Sequence, residues 1–292
     1  MPVNIENDYQ LERRLRDTSD DLQKRTTSSV FVLQAMLSAF LNRFPDFTDH
    51  SLLHSLDVLN FCNHLIGKDQ VEKLSAEEIY ILIMSCYLHD IGMGISDKDF
   101  KQFSEEIGSL YGLDIRRYGT SADAVRAFHN EYSGRFIRKY AQLFDIPSED
   151  LVFAITQVAR GHRKTDLYDE KTYPNMPYQG KILRLPYLAA IVRLADEIDV
   201  ASDRNPELLF DTSKLTQKKA IEAFGTHESI LGVVVEKDSI VLKIRPKSPE
   251  YVTLINELAQ KIQNTLDQCR DVCEKRSDLR LTQEKVVLEE VS

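Results

Sequence analysis

The segment Ile79-Tyr80-Ile81-Leu82-Ile83-Met84-Ser85-Cys86-Tyr87-Leu88-His89-Asp90-Ile91-Gly92 decides how this chain is read. The run from Ile79 to Leu88 is apolar on every side, which predicts a helix buried in a core rather than one lying on a surface. That helix ends in two metal-binding side chains followed by a glycine. His89 offers a neutral nitrogen and Asp90 an anionic oxygen where a buried helix opens into a turn, a mixed donor set that suits a divalent cation. A His-Asp doublet occurs by chance in many proteins, so its meaning depends on partners elsewhere in the chain.

Two partners stand in similar surroundings. His54 lies in Asp49-His50-Ser51-Leu52-Leu53-His54-Ser55-Leu56, and Asp196 in Arg193-Leu194-Ala195-Asp196-Glu197-Ile198-Asp199. A single histidine on an apolar face is most often a hydrogen-bonded core residue, so the argument rests on the set. An aspartate inside the apolar helix 191–198 is costly unless paired, and a cation shared with His54, His89 and Asp90 would offset that cost.

Working outward, the hydrophobic spacing is helical as far as about residue 225. Leu33, Met36, Leu37, Phe40, Leu41 and Phe44 mark one apolar face, stopped by Pro45. Residues 51–66 read as the next helix, closed by Gly67. Ser75 with Glu78 three residues on predicts a capping box at the start of helix 76–88. Residues 94–119 are polar and hold four glycines, which reads as an irregular lid or connector. Helices are expected over 121–144 and 148–158. A loop over 165–180 then leads to an apolar helix ending at Ile198, with Pro186 in its first turn. Residues 230–235 and 240–245 flank Glu236-Lys237-Asp238-Ser239 as a hairpin, and Ser248-Pro249 opens a helix over 250–275. The charged tail 279–292 has no assigned element. The expected organisation is a helical domain over 1–212, N-terminal helices included, followed by a small α/β appendage over 213–292. No internal repeat is present.

Composition narrows the function. With 292 residues and 42% hydrophobic side chains the chain can build a sizeable core. No apolar run approaches the roughly 20 residues needed to span a bilayer, and the start carries no signal region, so a cytoplasmic protein without membrane contact is expected. Cys62, Cys86, Cys269 and Cys273 fit no zinc spacing and are expected to be reduced core thiols. The net charge of −9 argues against a nucleic-acid polymer as partner, while leaving short phosphorylated ligands open.

The order His54, His89-Asp90, Asp196, with the local sequences Leu-His-Asp-Ile-Gly and Arg-Leu-Ala-Asp-Glu-Ile-Asp, resembles the HD superfamily of metal-dependent phosphohydrolases over roughly residues 48–204. The resemblance implies a mainly α fold: an HD-domain helical bundle, here with a small C-terminal β-hairpin plus helix. It also implies one or two divalent ions (Mn²⁺, Mg²⁺, Fe²⁺ or Zn²⁺). The first would take His54, His89, Asp90 and Asp196, and the second Asp90, His129 and His162. Metal-activated water would then cleave a phosphoester or phosphoanhydride of a small nucleotide-like substrate. His50 lies one helical turn before His54, on the same face. That spacing is similar to the cyclic-nucleotide phosphodiesterase branch, in which a histidine so placed protonates the leaving oxygen. Of the cations near the motif (Arg160, Arg163, Lys164 and Arg193), Arg163 and Lys164 are the expected phosphate contacts. Asp199 and Arg204 are expected to pair at the rim. His64 lies about 80° round the helix from His54 and His227 has no partner in sequence, so both are left out of the site.

Two features depart from the better-known branches. Met93-Gly94 follows the doublet where cyclic-di-GMP phosphodiesterases have a lysine, and the His-Pro-Gly element of cyclic-nucleotide phosphodiesterases is missing. In general flavour the chain is similar to stand-alone HD domains of bacterial conflict systems, which also occur beside chaperone-type ATPases; an ATPase partner or a homodimer follows as an expectation. Two other readings fit the same residues: a non-catalytic metal- or nucleotide-binding module that regulates a partner protein, and a di-iron oxygenase of the HD type.

Overall fold

The computed structural model describes residues 9–37, 52–118, 120–163, 165–201, 222 and 225–291. His50, Lys164, Arg204 and the expected domain boundary at 212 lie outside the described residues, as do 213–221 of the appendage. The longer helices are α1 (Gln10–Thr18), α2 (Asp20–Leu37), α3 (Leu52–Ile66), the short α4 (Lys68–Val71), α5 (Ala76–Leu88), α6 (Asp97–Tyr111), α7 (Ser121–Lys139), α8 (Glu149–Arg160), α9 (Leu185–Ile198) and α10 (Pro249–Arg276). Strands β1 (Asn175–Tyr178) and β2 (Lys181–Arg184) form one antiparallel pair, and β3 (Ile230–Val235), β4 (Ser239–Ile244) and β5 (Lys285–Glu290) form a second sheet. The chain is thus mainly α with a small C-terminal sheet and helix, as its periodicity predicts.

Helix α5 is the centre of the bundle, and every residue from Glu78 to Leu88 is buried. Its packing against α1, α2, α3, α8 and α9 explains why its sequence has no polar face. Each fully buried Ile or Leu contributes about 1.5–3 kcal/mol of gross transfer free energy, enough to fix this helix in one place. The capping box is present: the Ser75 hydroxyl accepts from the Glu78 amide at 3.2 Å, and the Glu78 carboxylate accepts from the Ser75 amide at 3.0 Å. The same buried carboxylate accepts from the Arg184 amide and guanidinium at 2.7–2.9 Å, tying the start of α5 to the residue that leads into α9. Helix α9 is the second core helix. Pro186 sits in its first turn, and α9 packs on α3, α8 and α10.

Three expectations change. Most of the stretch 94–118 is helical: Ser96 caps α6, Gly112 ends it in the left-handed region (φ 63°), and Phe103 and Ile107 bury its inner face. The helix expected over 121–144 kinks at Phe128 (φ −127°, ψ 20°) and ends at Lys139, before a 3₁₀ turn Ala141–Phe144. The loop expected over 165–180 contains β1, joined to β2 by Gln179 and Gly180, both at positive φ as a tight hairpin turn requires. The C-terminal hairpin is as predicted, with a bulge between Ile230 and Gly232. The unassigned tail supplies β5, which pairs parallel to β4. Parallel strands need a long crossover, and α10 provides it. Among the described residues no single helix is long and apolar enough to cross a membrane. The only candidate is a pair, Ala76–Gly94 with Asp97–Tyr111, bent by 102°, and α5, which forms most of its first member, is buried in the bundle.

Candidate metal centre

Five elements deliver the polar side chains to one cavity. His54 comes from the first turn of α3, His89 and Asp90 from the end of α5, His129 from α7 just past its kink, His162 from the turn after α8, and Asp196 from the last turn of α9. All but Asp196 are buried; its side chain is 17% exposed, which marks where the cavity meets solvent.

The side chains form two clusters. In the first, His54 Nε2 lies 3.0 Å from His89 Nε2 and 3.3 Å from Asp196 Oδ1. In the second, His129 Nε2 lies 2.8 Å from His162 Nε2. Asp90 joins them with one oxygen each: Oδ2 is 3.5 Å from His54 and His89, while Oδ1 is 3.5 Å from His129 and 3.6 Å from His162. Each cluster, His54, His89 and Asp196 on one side and Asp90, His129 and His162 on the other, is compact enough to hold one cation.

The hydrogen bonds on the far side of each ring fix its tautomer. A backbone carbonyl can only accept, so the Nδ1–H groups of His89, His129 and His162 donate to the carbonyls of Cys86 (2.8 Å), Arg126 (2.9 Å) and Ala159 (2.5 Å). His54 Nδ1 faces Asp199 Oδ2 at 2.5 Å. In the neutral rings every Nε2 therefore turns a lone pair into the cavity, and two such pairs 2.8 Å apart repel unless a cation stands between them. Burial pushes His162 well below the ordinary histidine range, with His129 and His89 adding to the effect, and burial also lowers His129. Both are thus neutral and ready to ligate. Burial alone would lower His89 too, but Asp90 and Asp196 outweigh it and hold its pKa well above the usual value. The converse holds for Asp196, whose burial is outweighed by its interactions with His54 and His89, so its carboxyl stays well below the usual range. A metal ion would replace that proton on the same donors. The residues present fit divalent cations.

Small residues and one buried cation set these positions. A Cβ on Gly92 would sit 2.5 Å from both the His129 carbonyl oxygen and the Ser133 amide nitrogen, so only glycine lets the Asp90 turn approach α7 this closely. The Gly92 amide donates to Ser133 Oγ at 2.9 Å. Gly161 does the same for α9, where a Cβ would meet that of Ala189 at 2.6 Å. Arg193 does not reach toward a phosphate. Its guanidinium donates to the carbonyls of Gly161 (2.7 Å), Arg163 (2.6 Å) and Thr165 (2.7 Å), holding the turn that carries His162.

Arg163 is exposed beside the second cluster, and its charge contributes to lowering the His129 pKa. Arg160 is committed to Glu131 and Gln157. Asp199 holds His54, and its expected partner Arg204 lies outside the described residues. His64 and His227 join neither cluster. The roles of Gly92, Ser133, Arg193 and Asp199 were not read from sequence; of these only the glycine after the doublet carried a local signal. The profile of a protein family described as HD-CE matches residues 44–275, most of the chain, in line with the HD resemblance of its motifs. No curated protein matches the chain.

Proposed function

The chain belongs to the HD-CE family, and we propose that it is a metal-dependent phosphohydrolase cleaving a phosphoester or phosphoanhydride of a small nucleotide-like substrate. One observation carries the reading: Asp90 divides its oxygens between two histidine clusters, Oδ2 to one and Oδ1 to the other, all at 3.5–3.6 Å. Bound divalent cations would supply the Lewis acidity that activates water and neutralises charge on phosphate oxygens. The chain's own part is positioning. The acceptors behind each imidazole hold its ring, and Asp90 keeps the two clusters in register. Arg163 adds positive charge beside the second cluster for an anionic group. His50, one turn before His54 in sequence, is the proposed proton donor to the leaving oxygen, with Lys164 a second phosphate contact. The net charge of −9 favours a small substrate over a polymer.

The test is phosphate release from a panel of nucleotides and cyclic nucleotides with Mn²⁺, Mg²⁺ or Fe²⁺ supplied separately and Asp90→Ala alongside. Metal-dependent turnover that disappears in the variant supports hydrolysis. Stoichiometric metal without phosphate release rejects it in favour of a regulatory module, and oxygen consumption with Fe²⁺ alone rejects it in favour of an oxygenase.

A further inference from the structure

We infer that Asp199 is a positioning residue whose hold on His54 makes the His54, His89 and Asp196 cluster the tighter of two unequal cation sites. The inference rests on the reading that both clusters bind divalent cations.

The starting point is where each histidine sits along its helix. The last four carbonyls of an α-helix have no partner within it, whereas at the first turn the spare groups are amides. His89 caps the end of α5 and uses the freed carbonyl of Cys86 at 2.8 Å; His162 follows the end of α8 and uses that of Ala159 at 2.5 Å. His129 lies within α7 just past the kink at Phe128, and it donates to the Arg126 carbonyl, 2.9 Å away. Each of these three takes the acceptor three residues before it. His54 is different because it stands in the first turn of α3 as described (Leu52–Ile66), at the end of a helix where the spare backbone groups are amides. Its acceptor comes from 145 residues away as a carboxylate, Asp199 Oδ2 at 2.5 Å.

The last turn of α9 therefore grips His54 from both sides, with Asp196 Oδ1 3.3 Å from Nε2 and Asp199 Oδ2 on Nδ1. Closing that helix does not require the Asp199 side chain, since its backbone amide makes the capping bond to the Asp196 carbonyl at 3.3 Å. A carboxylate behind an imidazole raises its basicity as a ligand more than a carbonyl does, and removing such a partner weakens metal binding roughly 10- to 100-fold. The donor count points the same way: two histidines, Asp196 and one Asp90 oxygen on the first side, against two histidines and the other Asp90 oxygen on the second.

The experiment is titration of the metal-free full chain with Co²⁺, followed by visible absorption, and with Mn²⁺, followed by its free-ion magnetic resonance signal. The wild type should bind in two steps, the first at least about tenfold tighter. Asp199→Asn, which keeps the volume and one acceptor oxygen but not the charge, should weaken the first step roughly 10- to 100-fold and leave the second nearly unchanged. Asp199→Glu should recover part of the loss. A merely structural Asp199 would instead lower the unfolding midpoint of the metal-free protein and weaken both steps together. That outcome, or two steps unaltered in Asp199→Asn, overturns the inference. A wild type that binds no cation overturns it along with the metal centre itself, whereas bound cations without phosphate release would overturn only the hydrolase.

Discussion

Replacing Gly92 with alanine adds one methyl group at the point where the Asp90 turn meets α7. The new Cβ would lie 2.5 Å from the His129 carbonyl oxygen and the Ser133 amide nitrogen, and 2.8 Å from Ser133 Oγ. Comfortable heavy-atom separation is about 3.5 Å, so turn and helix must part by roughly 1 Å. Both nearest atoms are backbone, so no rotamer change relieves the clash. Overpacking of this kind costs about 1–3 kcal/mol, and at about 2–4 °C per kcal/mol the unfolding midpoint should fall by roughly 2–12 °C. The functional effect should be larger. Asp90 lies two residues before Gly92, and its Oδ1 is already 3.5 Å from His129 Nε2. Metal–ligand distances tolerate only about 0.2 Å, so a 1 Å separation takes the second cluster out of range of a shared ion. Gly92→Ala should therefore keep one cation per chain, lose the second, and lose roughly 100-fold in any turnover, the usual consequence of a misplacement on this scale. Metal content per chain after gel filtration and a thermal unfolding curve test both parts. A variant with wild-type metal content and midpoint would refute the claim that this close approach builds the centre.

Arg184→Ala would strand the fully buried Glu78 carboxylate at the start of α5. It should cost about 3–5 kcal/mol in urea unfolding, whereas removing both charges as Arg184→Met with Glu78→Gln should cost much less. Arg193→Lys cannot serve three carbonyls at once, so it should lose about 1.5–3 kcal/mol and release the cation held by His162 before the one held by His54, measured by metal content. Acid should destabilise the fold through Glu131. Burial pushes its carboxyl up, but Arg160 and Arg135 outweigh that and hold it below the usual 4.5. A depressed pKa means the stabilisation is complete above the unfolded value and is lost as pH falls through the folded one. Urea midpoints should therefore drop below about pH 4.5, and less steeply in Glu131→Gln.

What the sequence revealed and what it hid have physical causes. His54, His89, Asp90 and Asp196 were legible because ionisable groups in apolar helices are conspicuous and costly, and α5 was legible because ten successive buried positions leave a long apolar run. Helix α6 was within reach: Phe100, Phe103, Ile107 and Leu110 keep helical spacing between Ser96 and Gly112, but four glycines and a polar surface masked them. Strand β1 was not, because it is four residues long, contains Pro177, and turns through Gln179-Gly180 rather than a common hairpin pair. Strand β5 reads as a strand locally, yet its partner lies across α10, and pairing at that distance leaves no trace in local pattern. Asp199, Ser133 and Arg193 act by contacts across the fold, which no local spacing encodes.

The charge within the cavity would link the architecture to the proposed anionic substrate. Asp90, Asp196 and Asp199 bring three carboxylates to four histidines whose Nδ1–H groups are all engaged. With His89 holding its proton and the other histidines counted as neutral, the metal-free centre carries two net negative charges in a largely buried space, a state that would repel a phosphate. One divalent cation, displacing the His89 proton, leaves a single negative charge, still unfavourable to an anion. A second leaves one positive charge, to which Arg163 adds at the edge. On the proposed reading only the doubly loaded centre would attract a phosphate, so Gly92, the kink at Phe128 and the Arg193 clamp, which position the cluster inferred to be the weaker, would govern whether an anionic substrate is accepted. Filling the tighter cluster alone would give a stable, metallated protein that binds phosphate poorly.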